Sequence, residues 1–416
     1  MTTQEMQSCS RTAALGNVAG EMAGIEVLVG LTSALAVFGA AELAVHRRRL
    51  RSIPIRVHVN GTRGKSSVTR LVAAGLRQGG IRTCAKTTGT LARMILPDAT
   101  ELPIYRPAGP NIIEQRRIVA LAAAHEAEAL VIECMALQPA LQSLCELKLI
   151  ESTHGVVTNA RPDHLDVMGP APRDVARALA GTTPVKGTLF LGDEDHREVF
   201  EDAARDRGSE LVVAESCDEA STLARFGHTE HPSNVGVALA VCEALGVDRD
   251  VALEGMWNAK PDPGAMTERE VEFFGRRITF VNGFAANDPV STRQIWEMAL
   301  ERHAGVERRI AVFNCRADRP ERSVLLGKAL ADWPPPDHVV LMGTGTFLFA
   351  RAATKAGLDP SMFTFAEGLA VADVFERIVG IAGETALVMG LGNVAGGGLA
   401  LAARFDNRAL PEEQVS

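Results

Sequence analysis

A short apolar run, Ile55 to Val59, passes into Asn60-Gly61-Thr62-Arg63-Gly64-Lys65-Ser66-Ser67 and then into a stretch patterned as a helix. A strand, a glycine turn and a helix in that order make a cradle for an anion. Backbone N–H groups at the helix N-terminus point at a phosphate, the lysine reaches the terminal phosphates, and the hydroxyl after it is placed to ligate Mg²⁺. The expected ligand is a nucleoside triphosphate with its metal. The general phosphate-loop pattern wants glycine five positions before Gly64, where this chain has Val59, so the loop reads G-T-x-G-K-S-S instead. Standing alone, the segment also reads as a glycine turn that opens a helix.

Two further segments bear on that choice. Leu130-Val131-Ile132-Glu133 is an apolar strand ending in a carboxylate, and Gly155-Val156-Val157-Thr158-Asn159 leads to Asp163-His164-Leu165-Asp166. Each places a metal-capable group at a strand's carboxyl end, where open α/β sheets build their sites. Taken singly, Glu133 reads equally as a strand-end surface acid and His164 as a hydrogen-bonded structural histidine. Their order after the phosphate loop favours ligands.

From Ile53 onward strand and helix patterns alternate, which predicts an α/β fold with a mainly parallel sheet covered on both faces. Strands are expected at 55–59, 129–133, 154–158, 188–191 and 210–213, and helices at 65–78, 112–125, 173–180, 195–207 and 234–245. Lys260-Pro261-Asp262-Pro263-Gly264-Ala265 reads as a hinge or as an ordinary surface loop. Beyond it, strands at 278–282, 309–313, 338–342 and 385–389 alternate with helices at 289–303, 320–331, 346–356 and 368–380, a second, smaller doubly wound domain. The expected division is 1–51, 52–260 and 261–416.

Gly24 to Val45 is mostly apolar, with Glu26 and Glu42 near its ends and an uncharged interior from Val27 to Ala41. That interior is short of the roughly 20 residues of a spanning helix. The cluster His46-Arg47-Arg48-Arg49-Leu50-Arg51 follows at once and would hold its side of a membrane in the cytoplasm. Gly30, Ser33, Ala34, Ala36, Gly39, Ala40 and Ala41 suit packing against another membrane helix. A buried or amphipathic soluble helix is the other reading. On the membrane reading, residues 1–20 lie outside or are disordered.

Seven cysteines, an odd number without a Cys-x-x-Cys pair, read as free thiols in a reducing compartment. A net charge of −8 argues against a nucleic-acid partner. An anionic substrate must then be held by local arginines.

The loop at 61–67, the segment Glu133 to Ala136 and T-N-x-x-x-D-H-x-D at 158–166 resemble the Mur ligase superfamily of ATP-dependent amide ligases. Longer blocks resemble, within it, the PgsB/CapB family, the ligase subunits of poly-γ-glutamate synthases. They are N-G-T-R-G-K-S-S-V-T-R-L, K-T-T-G-T-x-A-R-M-I, G-P-N-I-x-E-Q, E-C-M-A, D-H-L-D-V-M-G-P, P-D-P-G-A-M, V-N-G-F-A-A-N-D and N-C-R-A-D-R, spread from residue 52 to about 400. About 54 residues precede the strand that leads into the loop. That leaves no room for the nucleotide-sugar domain of a peptidoglycan Mur ligase.

The resemblance implies a Mur-ligase-like ATPase domain, a smaller Rossmann-like C-terminal domain and an N-terminal hydrophobic anchor. It also implies ATP and Mg²⁺, with activation of a glutamate γ-carboxylate as an acyl phosphate. Lys65 would contact the β- and γ-phosphates, with Gly61, Thr62, Arg63, Gly64, Ser66 and Ser67 around them. Ser66 and Glu133 would hold one Mg²⁺ and His164 a second, while Thr87, Thr88 and Thr90 read as donors to metal or phosphate or as an unliganded polar loop. Asn234 matches an adenine contact, although by itself it reads as a helix cap. Asn282-Gly283-Phe284-Ala285-Ala286-Asn287 resembles the D-x-x-A-x-N element with Asn282 in place of the aspartate, leaving Asn287 and Asp288 as nucleotide contacts. Arg316 and Arg319 read as clamps for glutamate carboxylates or as helix-start ion pairs. Gly390-Leu391-Gly392-Asn393 is placed to approach the same cleft. The lysine that Mur ligases carbamylate has no clear counterpart, since the nearest, Lys186, directly precedes a strand. The implied partners are glutamate, poly-γ-glutamate, small membrane subunits of a synthesis and export complex and, as an option, further copies of the chain. Alternatives are a glutamate ligase acting on a small acceptor, as folylpolyglutamate synthase does, and an ATPase that powers polymer export.

Overall fold

Runs of aliphatic residues flanked by glycine and acid turns become strands, and buried on both faces they assemble into parallel sheets. The computed structural model describes residues 3–88, 91–106, 109–262, 266–286 and 288–409, with side chains from residue 26. The first sheet uses β1 (Ile55–Asn60), β2 (Thr83–Lys86), β3 (Arg93–Ile95), β4 (Glu101–Pro103), β5 (Ala129–Glu133), β6 (His154–Val157), β7 (Thr188–Leu191) and β8 (Glu210–Val213). Their order is β4-β3-β2-β5-β1-β6-β7-β8. All neighbours are parallel except β2 with β3 and β3 with β4.

Central β1 pairs with β5 on one side and β6 on the other, with Val59 opposite Glu133 and Asn60 opposite Val157. The chain leaves β1 through helix α2 (Lys65–Gln78) toward β2 on the β5 side, and later crosses from β5 to β6 on the opposite side. That reversal opens a crevice beyond the carboxyl ends of the strands. α2 closes it from below, burying Val68, Leu71 and Val72 at helical spacing.

The second sheet uses β9 (Glu268–Phe273), β10 (Arg276–Asn282), β11 (Arg308–Cys315), β12 (His338–Gly343), β13 (Phe363–Glu367) and β14 (Thr385–Leu391), in the order β13-β12-β11-β14-β10-β9. Only β9 runs antiparallel to its neighbour among these described strands. Its core includes Phe280 stacked on Phe405 at 4.0 Å between ring centroids.

The structure adds elements that the patterning passed over. β2, β3 and β4 are too short for alternation to register, and β9 carries Glu268, Arg269, Glu270 and Glu272, as suits a sheet edge. A π-helical segment at Cys145–Ile150 also carries no sequence signature.

Helix α1 (Thr3–Arg51) is continuous. The stretch expected to lie outside the membrane or in disorder, residues 1–20, has a helical backbone from Thr3 onward. Its stretch Glu26–Arg51 has a mean hydropathy of 1.9 and is long enough to cross a membrane by length and composition. Val27, Leu28 and Val29 are all exposed, so apolar groups point outward on every side. The end of the helix behaves differently. His46 and Leu50 are buried, His46 Nε2 lies 3.0 Å from the Leu149 carbonyl, and Arg116 pairs with Glu42 at 2.8 Å. Six cysteines, at 84, 134, 145, 217, 242 and 315, are buried and unpaired. Burial pushes the thiols of Cys145, Cys242 and Cys315 up to about 12, which keeps them protonated.

Candidate functional site

The loop after β1 is held open by hydrogen bonds that its sequence neighbours cannot supply. Gly61 has φ +134°, and a Cβ there would sit 2.0 Å from Thr158 Oγ1; Gly64 has φ +81°, and a Cβ would meet Asn234 Oδ1 at 2.4 Å. Both glycines are therefore required by conformation and by space. Thr62 Oγ1 donates to Asn159 Oδ1 at 2.5 Å, Arg63 N donates to the same oxygen at 3.1 Å, and Thr158 Oγ1 donates to the Arg63 carbonyl at 2.5 Å. The Thr-Asn pair after β6 thus grips the loop. Beneath it, Asn60 donates to Gln142 and Thr182 and accepts from Gly61 N, a buried network that the sequence did not announce.

Lys65 opens α2 and folds back on the loop, with Nζ donating to the carbonyls of Gly61 at 2.7 Å and Thr62 at 3.2 Å. Beside it lies a compact oxygen cluster. Glu133, 3% exposed, accepts from Ser66 Oγ at 2.9 Å, from Thr88 N at 2.7 Å and from Thr88 Oγ1 at 2.6 Å. Three of the four expected metal-site residues are therefore together. One carboxylate and two hydroxyls are hard oxygen donors, and Mg²⁺ typically takes few protein ligands and fills its octahedron with water and phosphate, so the set fits that cation. Among the described residues no group of three His, Cys, Asp or Glu side chains converges on a metal.

His164 sits apart from those contacts at φ +46°, its ring partly exposed and 3.8 Å from Asp163. Thr90 and Asn287 lie outside the described residues. Lys186 precedes the first residue of β7, at the end of the sheet opposite the phosphate loop.

Asn234 does not open its helix. Helix Pro232–Ala244 starts two residues earlier, with His231 as its cap, and Asn234 Nδ2 donates to Glu230 Oε1 at 2.8 Å. The correction follows from Pro232, whose fixed φ suits a first helical position. Asn234 nevertheless abuts Gly64. It lines a cavity of about 90 Å³ with Arg63, Asn159, Arg161, Asp193 and His231. Burial and the neighbouring Arg161 hold the His231 imidazole below its usual pKa, against the pull of Glu230.

The C-terminal sheet approaches the same crevice. Arg63 of the phosphate loop lies 3.5 Å from Asp288 and 3.9 Å from Asp163. Asp288 also caps helix Pro289–Arg302 by accepting from Ser291 N. Arg316 is occupied by a two-bond pair with Asp318 at 2.9 and 2.6 Å. Arg319 is exposed and makes no ion pair among the described residues. Sequence reasoning missed Arg322, which donates to Asn393 Oδ1. Burial and the nearby Arg319, Arg63 and Arg316 lower its pKa while Asp163 opposes them, so the guanidinium groups of both sheets converge. Asn393 Nδ2 in turn donates to the Asn314 carbonyl at 2.8 Å, which brings the 390–393 turn to this cleft. The spacing of Arg316, Arg319 and Arg322 by three is the signal that was available.

Residues 59–259 match the Mur ligase middle domain, and residues 268–408 match the poly-gamma-glutamate synthase CapB C-terminal domain. The chain is 38% identical over 373 residues to the capsule biosynthesis protein CapB of Bacillus anthracis, covering 89% of this chain and 80% of that one. It is 34% identical over 373 residues to the PGA synthase CapB of Bacillus subtilis, covering 89% and 95%. Among solved structures, a bifunctional folylpolyglutamate synthase/dihydrofolate synthase of Yersinia pestis, complexed with AMPPNP and Mn, superposes with a TM-score of 0.66 at 16% identity, covering 87% of this chain and 92% of that one. The folylpolyglutamate synthase of Mycobacterium tuberculosis complexed with ADP gives 0.63 at 18% identity, covering 90% and 94%. At that identity the likeness is one of fold.

Proposed function

The chain belongs to the CapB family of the Mur ligase superfamily, and from that premise we propose how its residues carry the work of an ATP-dependent γ-glutamyl ligase in poly-γ-glutamate synthesis. The observation that carries the assignment is the Ser66, Thr88 and Glu133 cluster beside Lys65 at the carboxyl end of β1.

A carboxylate is a poor acyl donor until its oxygen becomes a good leaving group. Transfer of the ATP γ-phosphoryl group to a glutamate γ-carboxylate gives an acyl phosphate and ADP, and attack by a second glutamate's amine releases phosphate as the amide forms. Positioning and charge neutralisation supply most of the rate. Lys65 exchanges its loop carbonyls for the β- and γ-phosphates, while the backbone of Gly61, Thr62, Arg63, Gly64, Ser66 and Ser67 cradles them. Ser66, Thr88 and Glu133 hold Mg²⁺, which neutralises phosphate charge; His164 is the candidate for a second cation. Asn234 borders the adenine. Asn287 and Asp288 complete the nucleotide site from the C-terminal domain, and Arg316 and Arg319 receive glutamate carboxylates.

The domain division 1–51, 52–260 and 261–416 goes with this scheme, except that the last turns of α1 from Glu42 pack as part of the ATPase body. α1 anchors the chain in the cell membrane with both catalytic domains on the cytoplasmic side, supported by its exposed apolar surface and the arginines that follow it. Small membrane subunits, and optionally further copies, would complete the complex. Removing residues 1–41 should then free the protein from membranes with nucleotide binding intact, and retention on membranes would sink the anchor reading.

The deciding experiment measures ADP release by the membrane-associated chain with and without L- or D-glutamate, with hydroxylamine present to trap the activated γ-carboxyl as a hydroxamate. Glutamate-stimulated release with hydroxamate supports the ligase. Release indifferent to glutamate points to an export ATPase, and release that requires a folate points to a small-acceptor ligase.

A further inference from the structure

Lys86 ends β2, two residues before Thr88, and is fully buried. Lysine is seldom buried without a reason. Its Nζ lies 3.1 Å from Glu114 Oε1 and 3.7 Å from Met135 Sδ, just beyond Glu133. Glu114, at the start of helix α3 (Glu114–Ala124), also receives Arg106 through two bonds of 2.5 and 2.8 Å. The next residue, Gln115, donates Nε2 to the Glu133 carbonyl at 3.4 Å. Glu133 is thus held from two directions, its side chain by the loop after β2 and its backbone by α3. The Lys86–Glu114 ion pair ties those two supports to each other.

An ion pair in such a place is a weak source of stability compared with an apolar pair of similar volume, and its attested use is to fix one geometry. Groups that orient metal ligands without touching the metal are half of what sets a metal site. We propose that Lys86, locked by Glu114 and Arg106, is a positioning residue that sets the geometry of the Thr88 and Glu133 side of the cation site. The inference rests on the reading that Ser66, Thr88 and Glu133 hold the cation.

The test uses the full chain in detergent and Mn²⁺ as the probe, with binding followed by electron paramagnetic resonance in the presence of ADP. Lys86→Met keeps the length and apolar stem of the side chain and removes its charge. It should weaken Mn²⁺ binding about 10–100-fold, while ADP affinity in EDTA stays at the wild-type value. Glu114→Gln, nearer the surface, should shift Mn²⁺ in the same direction and decides the matter if Lys86→Met does not fold. Mn²⁺ affinity within about twofold of wild type in the folded variant overturns the proposal, as does a parallel fall in metal-free ADP affinity, which would mark general loosening. Glu133→Ala separates the two levels. If it abolishes Mn²⁺ binding while Lys86→Met does not weaken it, only the positioning role fails; if Glu133→Ala leaves Mn²⁺ binding unchanged, the site reading fails and takes this inference with it.

Discussion

Glu133 accepts three hydrogen bonds in a pocket where it is 3% exposed, whereas Arg319, on the C-terminal side of the same cleft, is exposed and pairs with no acid among the described residues. The contrast extends to their neighbours. On the nucleotide side, Thr158 and Asn159 after β6 lock the loop through Arg63 and Thr62, and Asn60, Gln142 and Thr182 support it from beneath. On the side proposed to receive carboxylates, Arg316 pairs with its own neighbour Asp318. Preorganised groups cost little reorganisation when charge arrives, so the nucleotide half is built in advance. On the proposed reading, the carboxylate half would gain its partners only when substrate comes.

The largest effects should come from the rigid side. Lys65→Ala and Glu133→Ala should each lower glutamate-dependent ADP release about 10²–10³-fold, the scale seen when one preorganised charge-stabilising group is removed. Thermal unfolding of Lys65→Ala should change little, because among the described residues the ammonium bonds only to carbonyls of its own loop. A near-normal rate in Lys65→Ala would reduce the loop to a structural turn and break the comparison at its stronger end.

The carboxylate side should respond in binding more than in rate. A hydrogen bond to a charged group contributes about 1.5–3 kcal/mol, so Arg319→Gln should raise half-saturating glutamate about tenfold or more with ATP affinity unchanged. Arg316→Gln should have the smaller effect, since its guanidinium must first leave Asp318. Steady-state titrations of glutamate at saturating ATP read both. The reverse ranking would mean that Arg316 is the poised clamp.

A slower lever lies under the phosphate loop. His58, on β1, is buried with Nδ1 2.8 Å from Glu146 Oε2. Burial alone would lower its pKa, but the neighbouring Cys134 sulfur and the hydrogen-bonded Glu146 raise it from 6.5 to about 9. A raised pKa makes protonation stabilising. The contribution is fully present below pH 6.5 and is lost as pH climbs through about 9, on the order of 3 kcal/mol for a shift of this size. Thermal unfolding from pH 6 to 9.5 should show this fall, and His58→Gln should flatten it. An unchanged profile in that variant would place the linkage elsewhere.

Much of the nucleotide side was legible because its signals are local. Helix 65–78 and strand 129–133 stand where patterning put them, since apolar periodicity and the glycine turn act over a few residues. The membership of Thr88 in the Glu133 cluster was one of two open readings until β2 was seen beside β5. Asn234 was assigned the wrong local role because Pro232 moved the helix start. Lys86 and Glu114 stood in those motif blocks without roles and Arg106 stood outside them, because their pairing joins a strand end, a loop and a helix start that no local pattern links.

By itself the sequence determined the alternating α/β architecture, the phosphate loop, the apolar N-terminal helix and the family, because periodicity, turn chemistry and long motif blocks are readable along the chain. Only the tertiary structure decided which hydroxyls meet Glu133, that α1 ends inside the ATPase body through Glu42, His46 and Leu50, and that Arg63 meets Asp288 across the two sheets. Those are contacts between distant segments, fixed by strand order and register, and no spacing along one strand or helix encodes them.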